Sequence, residues 1–577
     1  MKKIMTKSTI ILFAIVLLAF FLRTFRITTN PPSLSWDEVS IGYNAYSILK
    51  TGKDEHGRFF PLDTFVGYGD YKPPLSIYIT VPFVAVFGLN ELAVRLPSAL
   101  FGTLTVLMTY FLVKELIRYG LRNNESDVLR VTRYGLKKKD QEQKNSSPVT
   151  RNTLTIMPLL SAFLLAISPW HINLSRAGFE ANIALFLVVV GVYGIFRAVR
   201  SPNVWRVALL PFVGAIYTFN SSRYFVAFLS FGCFILFFQD IRKHYKQVLI
   251  GCFIAGVMLL PIVPHLISKE ARLRFTEVNI FSDANVVLVA NKRIEQTGNA
   301  WWAKIIYNRR IGYAQSYISH YLDHFQPEYL FIKGDGNPKF SIQDVGQLYS
   351  IEAPFLVIGI FALLIANPSI GLFLLYWLCM AIVPAAVARE TPHALRTLNS
   401  LPTWQIFVAY GIIQCINYEL RITNWKVIRY SLFAIFLLCY SFSVMYYLHS
   451  YYIHYPKEFS GEWQYGYKQA LAYVHPLEQS YDAIYMAESI GRPYMYTLFY
   501  NHVDPNVFFS SKTDSFDTAG FYHVYGFANY HFVKDMPTVC SGTCLFIADA
   551  GSQIKEFKKL ETIYLLNGKP ILEIYEK

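Results

Sequence analysis

The sequence predicts an all-α polytopic membrane protein of about eleven transmembrane helices with a small C-terminal soluble α/β domain, and three observations lead there. Of its 577 residues 53% are hydrophobic and only 16% charged, and the apolar runs repeatedly reach bilayer-crossing length. The Lys and Arg between those runs gather in alternate short loops, as cytoplasmic retention requires. Beyond about residue 450 the runs cease, and residues 450–577 hold ten Lys and Arg against fourteen Asp and Glu.

Lys2, Lys3 and Lys7 precede an apolar run from Ser8 to Leu22 that ends without a small-residue cleavage site, so it reads as an uncleaved first span. Further spans are expected near 93–117, 154–170, 177–197, 203–219, 223–239, 246–265, 351–366, 369–388, 401–417 and 428–449. The loop 118–153 holds nine basic residues, including Lys137, Lys138 and Lys139. Arg197, Arg200 and Arg206, then Arg242, Lys243 and Lys246, then Arg421, Lys426 and Arg429 fall on the same, cytoplasmic side. Counting Pro73 to Gly88 as a span would invert this pattern, and Pro73, Pro74 and Pro82 weaken a regular helix there, so the segment is expected to be interfacial or re-entrant. The reading divides the chain into a transmembrane domain, 1–449, with a first outer loop 26–92 and a long outer loop 268–350, and an extracytoplasmic α/β domain, 450–577.

Within that second domain, strand-like runs at Ala483 to Ala487, Leu545 to Ala548, Ile563 to Leu566 and Ile571 to Tyr575 accompany a helical stretch near 461–474 and an Asn567-Gly568 turn. Cys540 and Cys544 stand apart from five cysteines in apolar segments and read equally as a disulfide or as free thiols. The loop 118–151 reads as a flexible linker. The net charge of +14 does not imply nucleic acid, because loop placement accounts for the cations.

Polar clusters on the predicted outer face point to chemistry. They are Ser35 to Glu38, Asp70 to Lys72, His171 to Glu180, Asn220 to Arg223, the loop 268–350 and Arg389 to Arg396. Carboxylates and cations at an outer membrane surface suit a sugar carried on a lipid phosphate. Its transfer needs one general base for the acceptor hydroxyl, because the departing phosphate is already a stable anion. Asp37 is the expected base, with Glu38 orienting the acceptor, binding a sugar hydroxyl or holding a metal; the bland alternative is that both merely cap a helix. Lys72, Arg95, Arg176, Arg223 and Arg396, with Arg389 beside them, are the candidate phosphate-binding cations. Tyr43, Asp70, Glu180 and His393 are candidate substrate contacts, although a lone loop His is more often structural.

The run Trp36-Asp37-Glu38 with Gly42-Tyr43-Asn44-Ala45, then Tyr71-Lys72-Pro73-Pro74-Leu75, Phe87-Gly88-Leu89-Asn90-Glu91 and Arg95-Leu96-Pro97-Ser98, resembles the N-terminal part of GT-C glycosyltransferases, in the branch of protein O-mannosyltransferases and lipid A aminoarabinose transferases. The close likeness covers roughly residues 10–115, with Ser175-Arg176 and Pro392-His393-Ala394-Leu395-Arg396 as further pieces. The resemblance implies a polyprenyl-phosphate sugar donor, inversion at the anomeric carbon, an extracytoplasmic acceptor (lipid, glycan or protein) and, by motif, the acidic pair Asp37 and Glu38 with Lys72 at the lipid phosphate. A bacterial plasma membrane location is expected, with the site and the C-terminal domain extracytoplasmic. Tyr71 stands where the aminoarabinose branch has an acidic residue, which argues against a metal site at that point; a divalent metal elsewhere stays open, and no other cofactor is indicated. A ligase of lipid-linked oligosaccharide, a polytopic transporter or flippase, and a receptor or scaffold are the competing readings; transporters place ionisable groups at mid-membrane, whereas these spans are nearly free of charge.

Overall fold

The computed structural model describes residues 7–132, 148–268, 279–422, 426–517, 521–552, 554 and 557–577. Its first part is helical: α1 (Lys7–Thr24), α2 (Trp36–Thr51), a hairpin of β1 (Phe65–Gly67) and β2 (Asp70–Lys72), α3 (Leu75–Phe87), α4 (Glu91–Thr132), α5 (Pro148–Ile167), α6 (Pro169–Arg176) and α7 (Glu180–Ala198). Six described helices are long and apolar enough to cross a membrane: Lys7–Thr24, Glu91–Leu121, Glu180–Ala198, Tyr245–Leu266, Pro368–Ala386 and Phe433–Glu458. α5 and α6 make a seventh if the pair is counted as one span; they are bent by 55° where Ser168 interrupts the ladder and caps α6. Several of the remaining apolar runs form helices shorter than a full span, such as Pro202–Ile216 and Ser350–Ala366. The chain is an integral membrane protein.

Three local expectations change. Pro73 to Gly88 contains a regular helix of 13 residues, α3, despite its prolines. Pro74 sits at the N-cap, where its missing N–H is no loss, and only Pro82 forfeits a ladder bond. The linker expected from 118 begins as helix, because α4 continues to Thr132; Lys137, Lys138 and Lys139 lie outside the described residues. The last span also runs past residue 450, continuing to Glu458 through a π turn at Ser450–His454.

The C-terminal part is a seven-stranded mixed sheet ordered β4-β5-β6-β3-β7-β9-β8: β3 (Ala483–Ala487), β4 (Thr513–Phe516), β5 (Tyr522–Phe527), β6 (Tyr530–Val533), β7 (Cys544–Asp549), β8 (Lys558–Tyr564) and β9 (Pro570–Glu576). Central β3 is parallel to β6 and β7; the other pairs are antiparallel. Strands β4 to β6 escaped the sequence reading, β4 because every residue in it is exposed and no apolar alternation marks it. Cys540 and Cys544 are disulfide-bonded.

This sheet does not stand apart from the membrane domain. Leu34, Val39 and Tyr43 share one core with Tyr467, Tyr496 and Phe499. Tyr496 Oη donates to Leu34 O at 3.0 Å, and a Cβ at Gly42 would come within 2.5 Å of the Phe499 ring. The glycine lets α2 dock against helix Pro493–Tyr500.

Candidate functional site

Ser35 caps α2: its Oγ accepts from the Glu38 N–H at 3.4 Å, and its own N–H donates to Glu38 Oε2 at 2.9 Å. This reciprocal cap fixes the first turn. Successive residues then diverge by about 100° around the helix, which sends the two carboxylates in different directions.

Glu38 turns inward. It is fully buried, and its oxygens accept from Arg95 Nε at 2.8 Å and the Gly178 N–H at 2.9 Å besides Ser35. Arg95, equally buried, directs its other donors to the carbonyls of Ile27, Pro31 and Ser33. Arg176 does the same for Leu22, Phe25 and Asn30 and also donates to Tyr451 Oη. These residues knit the loop after α1 to α2, α4 and α6. Glu38 therefore presents no surface to a sugar or a metal, and Arg95 and Arg176 present none to a phosphate.

Asp37 turns outward, with its side chain 36% exposed, and its Oδ1 receives Lys72 Nζ at 2.6 Å. The hairpin delivers that lysine: Gly67 pairs with Asp70 across a tight turn in which Tyr68 (φ 60°) and Gly69 (φ 87°) both take left-handed backbone, as a two-residue turn of this twist demands. Tyr68 is held there by a hydrogen bond from its Oη to Trp36 O at 2.8 Å and by Arg492 over its ring. Burial pulls Lys72 down, but Asp37, Glu180 and Asp70 outweigh it and hold the ammonium above the usual lysine range. Four expected residues thus share one electrostatic neighbourhood.

Arg223 borders it, within electrostatic reach of Asp70, and its Nη2 is buried with no hydrogen-bond partner among the described residues. Arg389 is tied to Asn279 O and Ser282 Oγ instead. Tyr43 is buried and points to the C-terminal sheet domain, its Oη donating to Val503 O at 3.2 Å, so it is not a substrate contact in this arrangement. His393 is buried against Phe340, ring centroids 4.9 Å apart, with Nδ1 3.9 Å from Asp335 Oδ2; it stands one layer behind the site. Arg396 acts electrostatically on that His393 and Asp335 pair.

The sequence reading missed Lys339. Its ammonium lies 3.9 Å from the centroid of the Trp36 ring and 3.5 Å from Gln464 Oε1, within reach of Asp37, Glu462 and Glu38. Burial holds its pKa below the ordinary lysine value against those carboxylates. No spacing in the sequence links residue 339 to residue 36; only the polarity of the long outer loop hinted at it. Among the described residues no three His, Cys, Asp or Glu side chains converge as a metal ion would require.

Residues 13–120, from α1 through most of α4, match the sequence profile of the family described as dolichyl-phosphate-mannose-protein mannosyltransferase. Over 98% of this chain and 97% of the other, the fold matches apo ArnT of Cupriavidus metallidurans with a TM-score of 0.51 at 11% identity. The chain shares the fold of that protein. The apo oligosaccharyltransferase of Archaeoglobus fulgidus aligns over 87% of this chain and 64% of its own, TM-score 0.46, 11% identity. In sequence, YycA of Bacillus subtilis (strain 168), itself only provisionally named a mannosyltransferase, is 21% identical over 252 residues, which span 43% of this chain and 30% of that protein.

Proposed function

We propose that this GT-C protein is a glycosyltransferase that moves a sugar from a polyprenyl-phosphate donor to the hydroxyl of an extracytoplasmic acceptor, with inversion and with Asp37 as general base. The observation that carries the reading is the half-exposed Asp37 carboxylate joined to a buried lysine at 2.6 Å. The family profile over residues 13–120, whose description names a lipid-phosphate sugar donor, supports the donor class. The outward direction is supported by charge: Arg118, Arg197 and Arg200 gather around Glu115, about 30 Å along α4 from Arg95, roughly the thickness of a bilayer core.

In this reading the donor phosphate approaches Lys72 and the orphaned donor of Arg223. As Lys72 turns its charge to the phosphate, it releases Asp37, which accepts the proton of the acceptor hydroxyl. The new bond to the anomeric carbon forms as its bond to the phosphate oxygen breaks from the opposite side. The electron pair leaves with the phosphate, and the cations balance it. Glu38 and Arg95 hold α2 and its preceding loop in place without touching the substrate.

Purified protein in detergent, given a polyprenyl-phosphate sugar and cell-envelope acceptors, should release polyprenyl phosphate. Asp37→Asn should lower turnover by about 100-fold or more, the typical value of a positioned base, with a melting temperature near wild type because the residue is partly exposed. Full turnover in Asp37→Asn overturns the base assignment.

A further inference from the structure

Helices Ala284–Gln296, Trp301–Ile306 and Arg309–Asp323, in the long outer loop, have no core of their own. Their only buried residues are Ala290 and Ala303. Leu288, Trp301, Ile305, Ile318 and Leu322 all stand exposed, Trp301 at 75%. Helices this short are marginal in water unless an apolar face is covered. Their anchor shows where that cover lies. Tyr321 Oη donates to Cys379 O at 3.1 Å, inside the span Pro368–Ala386, and the His320 ring meets Ala388 O, at Nδ1, at 2.8 Å, two residues past the end of that span. The last of the three helices therefore lies against the C-terminal half of that span and reaches the level where it leaves the bilayer, and the other two pack beside it.

Between them opens a cleft of about 550 Å³ lined by Lys304, Arg309 and Arg310 with Tyr307 and Asn308, and its lining contains no carboxylate. Exposed tryptophan and aliphatic side chains beside cations that have no carboxylate partner among the described residues are the chemistry of the headgroup layer: indoles favour the interface, aliphatic groups the acyl boundary, and Lys and Arg the phosphates of acidic lipids. We propose that this helical trio lies in the membrane interface and that its cleft seats the headgroup phosphate of an anionic glycerophospholipid. The site is separate from Lys72 and Arg223, and it stands whether or not the donor reading does.

The test uses the full chain. Purified in detergent and titrated with phosphatidylglycerol or phosphatidylcholine, the protein is examined by native mass spectrometry for retained lipid. Wild type should hold phosphatidylglycerol in preference, and the triple variant Lys304→Ser, Arg309→Ser, Arg310→Ser should weaken that retention by about 100-fold, since each interfacial cation contributes several-fold. These side chains are exposed, so melting should not change. Undiminished retention by the triple variant overturns the cleft. In nanodiscs of brominated phosphatidylglycerol, the quenched fluorescence of wild type should fall to a lower quenched fraction in Trp301→Phe, Trp302→Phe. Equal quenching in the two proteins means that a second copy, another part of the chain or a protein partner covers the trio, and it overturns the interfacial placement.

Discussion

Glu38→Gln is the perturbation that most sharply separates the two neighbouring carboxylates. Glu38 and Arg95 are each fully buried, and the pair meets at 2.8 Å. Removing the charge of one partner leaves a guanidinium in the interior, which costs roughly 3 to 5 kcal/mol. Arg95 keeps its three backbone carbonyls, so the loss belongs at the lower end, about 3 kcal/mol. Glutamine retains one carbonyl oxygen for the Ser35 or Gly178 N–H, but its amide places a donor where Arg95 needs an acceptor. Thermal unfolding in detergent, followed by tryptophan fluorescence, should show a clearly lowered midpoint, and Glu38→Met with Arg95→Met should recover part of it. A Glu38→Gln protein that melts like wild type yet has lost turnover would refute the assignment and make Glu38 the reacting base.

Other outcomes follow from single contacts. A Cβ at Gly359 would lie 1.8 Å from Phe407 O, and one at Gly411 1.9 Å from Phe355 O, so either alanine forces helices Ala353–Ala366 and Thr403–Ile422 apart; each variant should lose most of its folded yield in size-exclusion chromatography. Tyr43→Phe removes one hydrogen bond to Val503 O and should lower stability by about 1 kcal/mol with turnover unchanged. Under the proposed function, Lys339→Met should raise the KM for donor or acceptor several-fold in steady-state assays, because it removes a cation from beside Asp37 without removing the base.

The acid response of the fold carries a sign of its own. Burial pushes Asp335 up from 3.8 to about 6, with Glu390 in the same direction and the Asn337 and Ala394 N–H groups and Arg396 opposing. A raised carboxyl contributes stability below its unfolded value, and this is lost as pH rises through about 6. Burial pushes His324 down from 6.5 to about 4, against His320 O and Asp323, and the neutral ring accepts from the His393 N–H at 3.1 Å. Its contribution is present above 6.5 and lost as pH falls through about 4, so the two oppose each other. Asp335→Asn removes the compensating partner. Between pH 6.5 and 4 the variant should lose about 2 kcal/mol more than wild type, measured as melting temperature against pH; parallel curves would sink the argument.

Much of this architecture was readable before any coordinates. Long apolar runs end at basic residues because hydrocarbon excludes charge, and that alone marked the membrane domain and the change of character near 450. Asp37 and Glu38 could be read as carboxylates at a helix start, and α2 does begin beside them, at Trp36. Such signals are local, and a chain prints local information directly. Burial and pairing are not local. Whether Asp37 or Glu38 faces solvent depends on how α2 is rotated against α4 and α6, and Arg95 and Arg176 look like ligand-binding cations until carbonyls from a distant loop are seen to occupy them. Lys339 reaches Trp36 across some 300 residues of chain because tertiary packing brings the long outer loop over the start of α2. Periodicity and composition mark the segments able to cross the membrane; only the packing of those segments, with desolvation deciding which charges are paired away, left Asp37 partly exposed and joined to a buried Lys72.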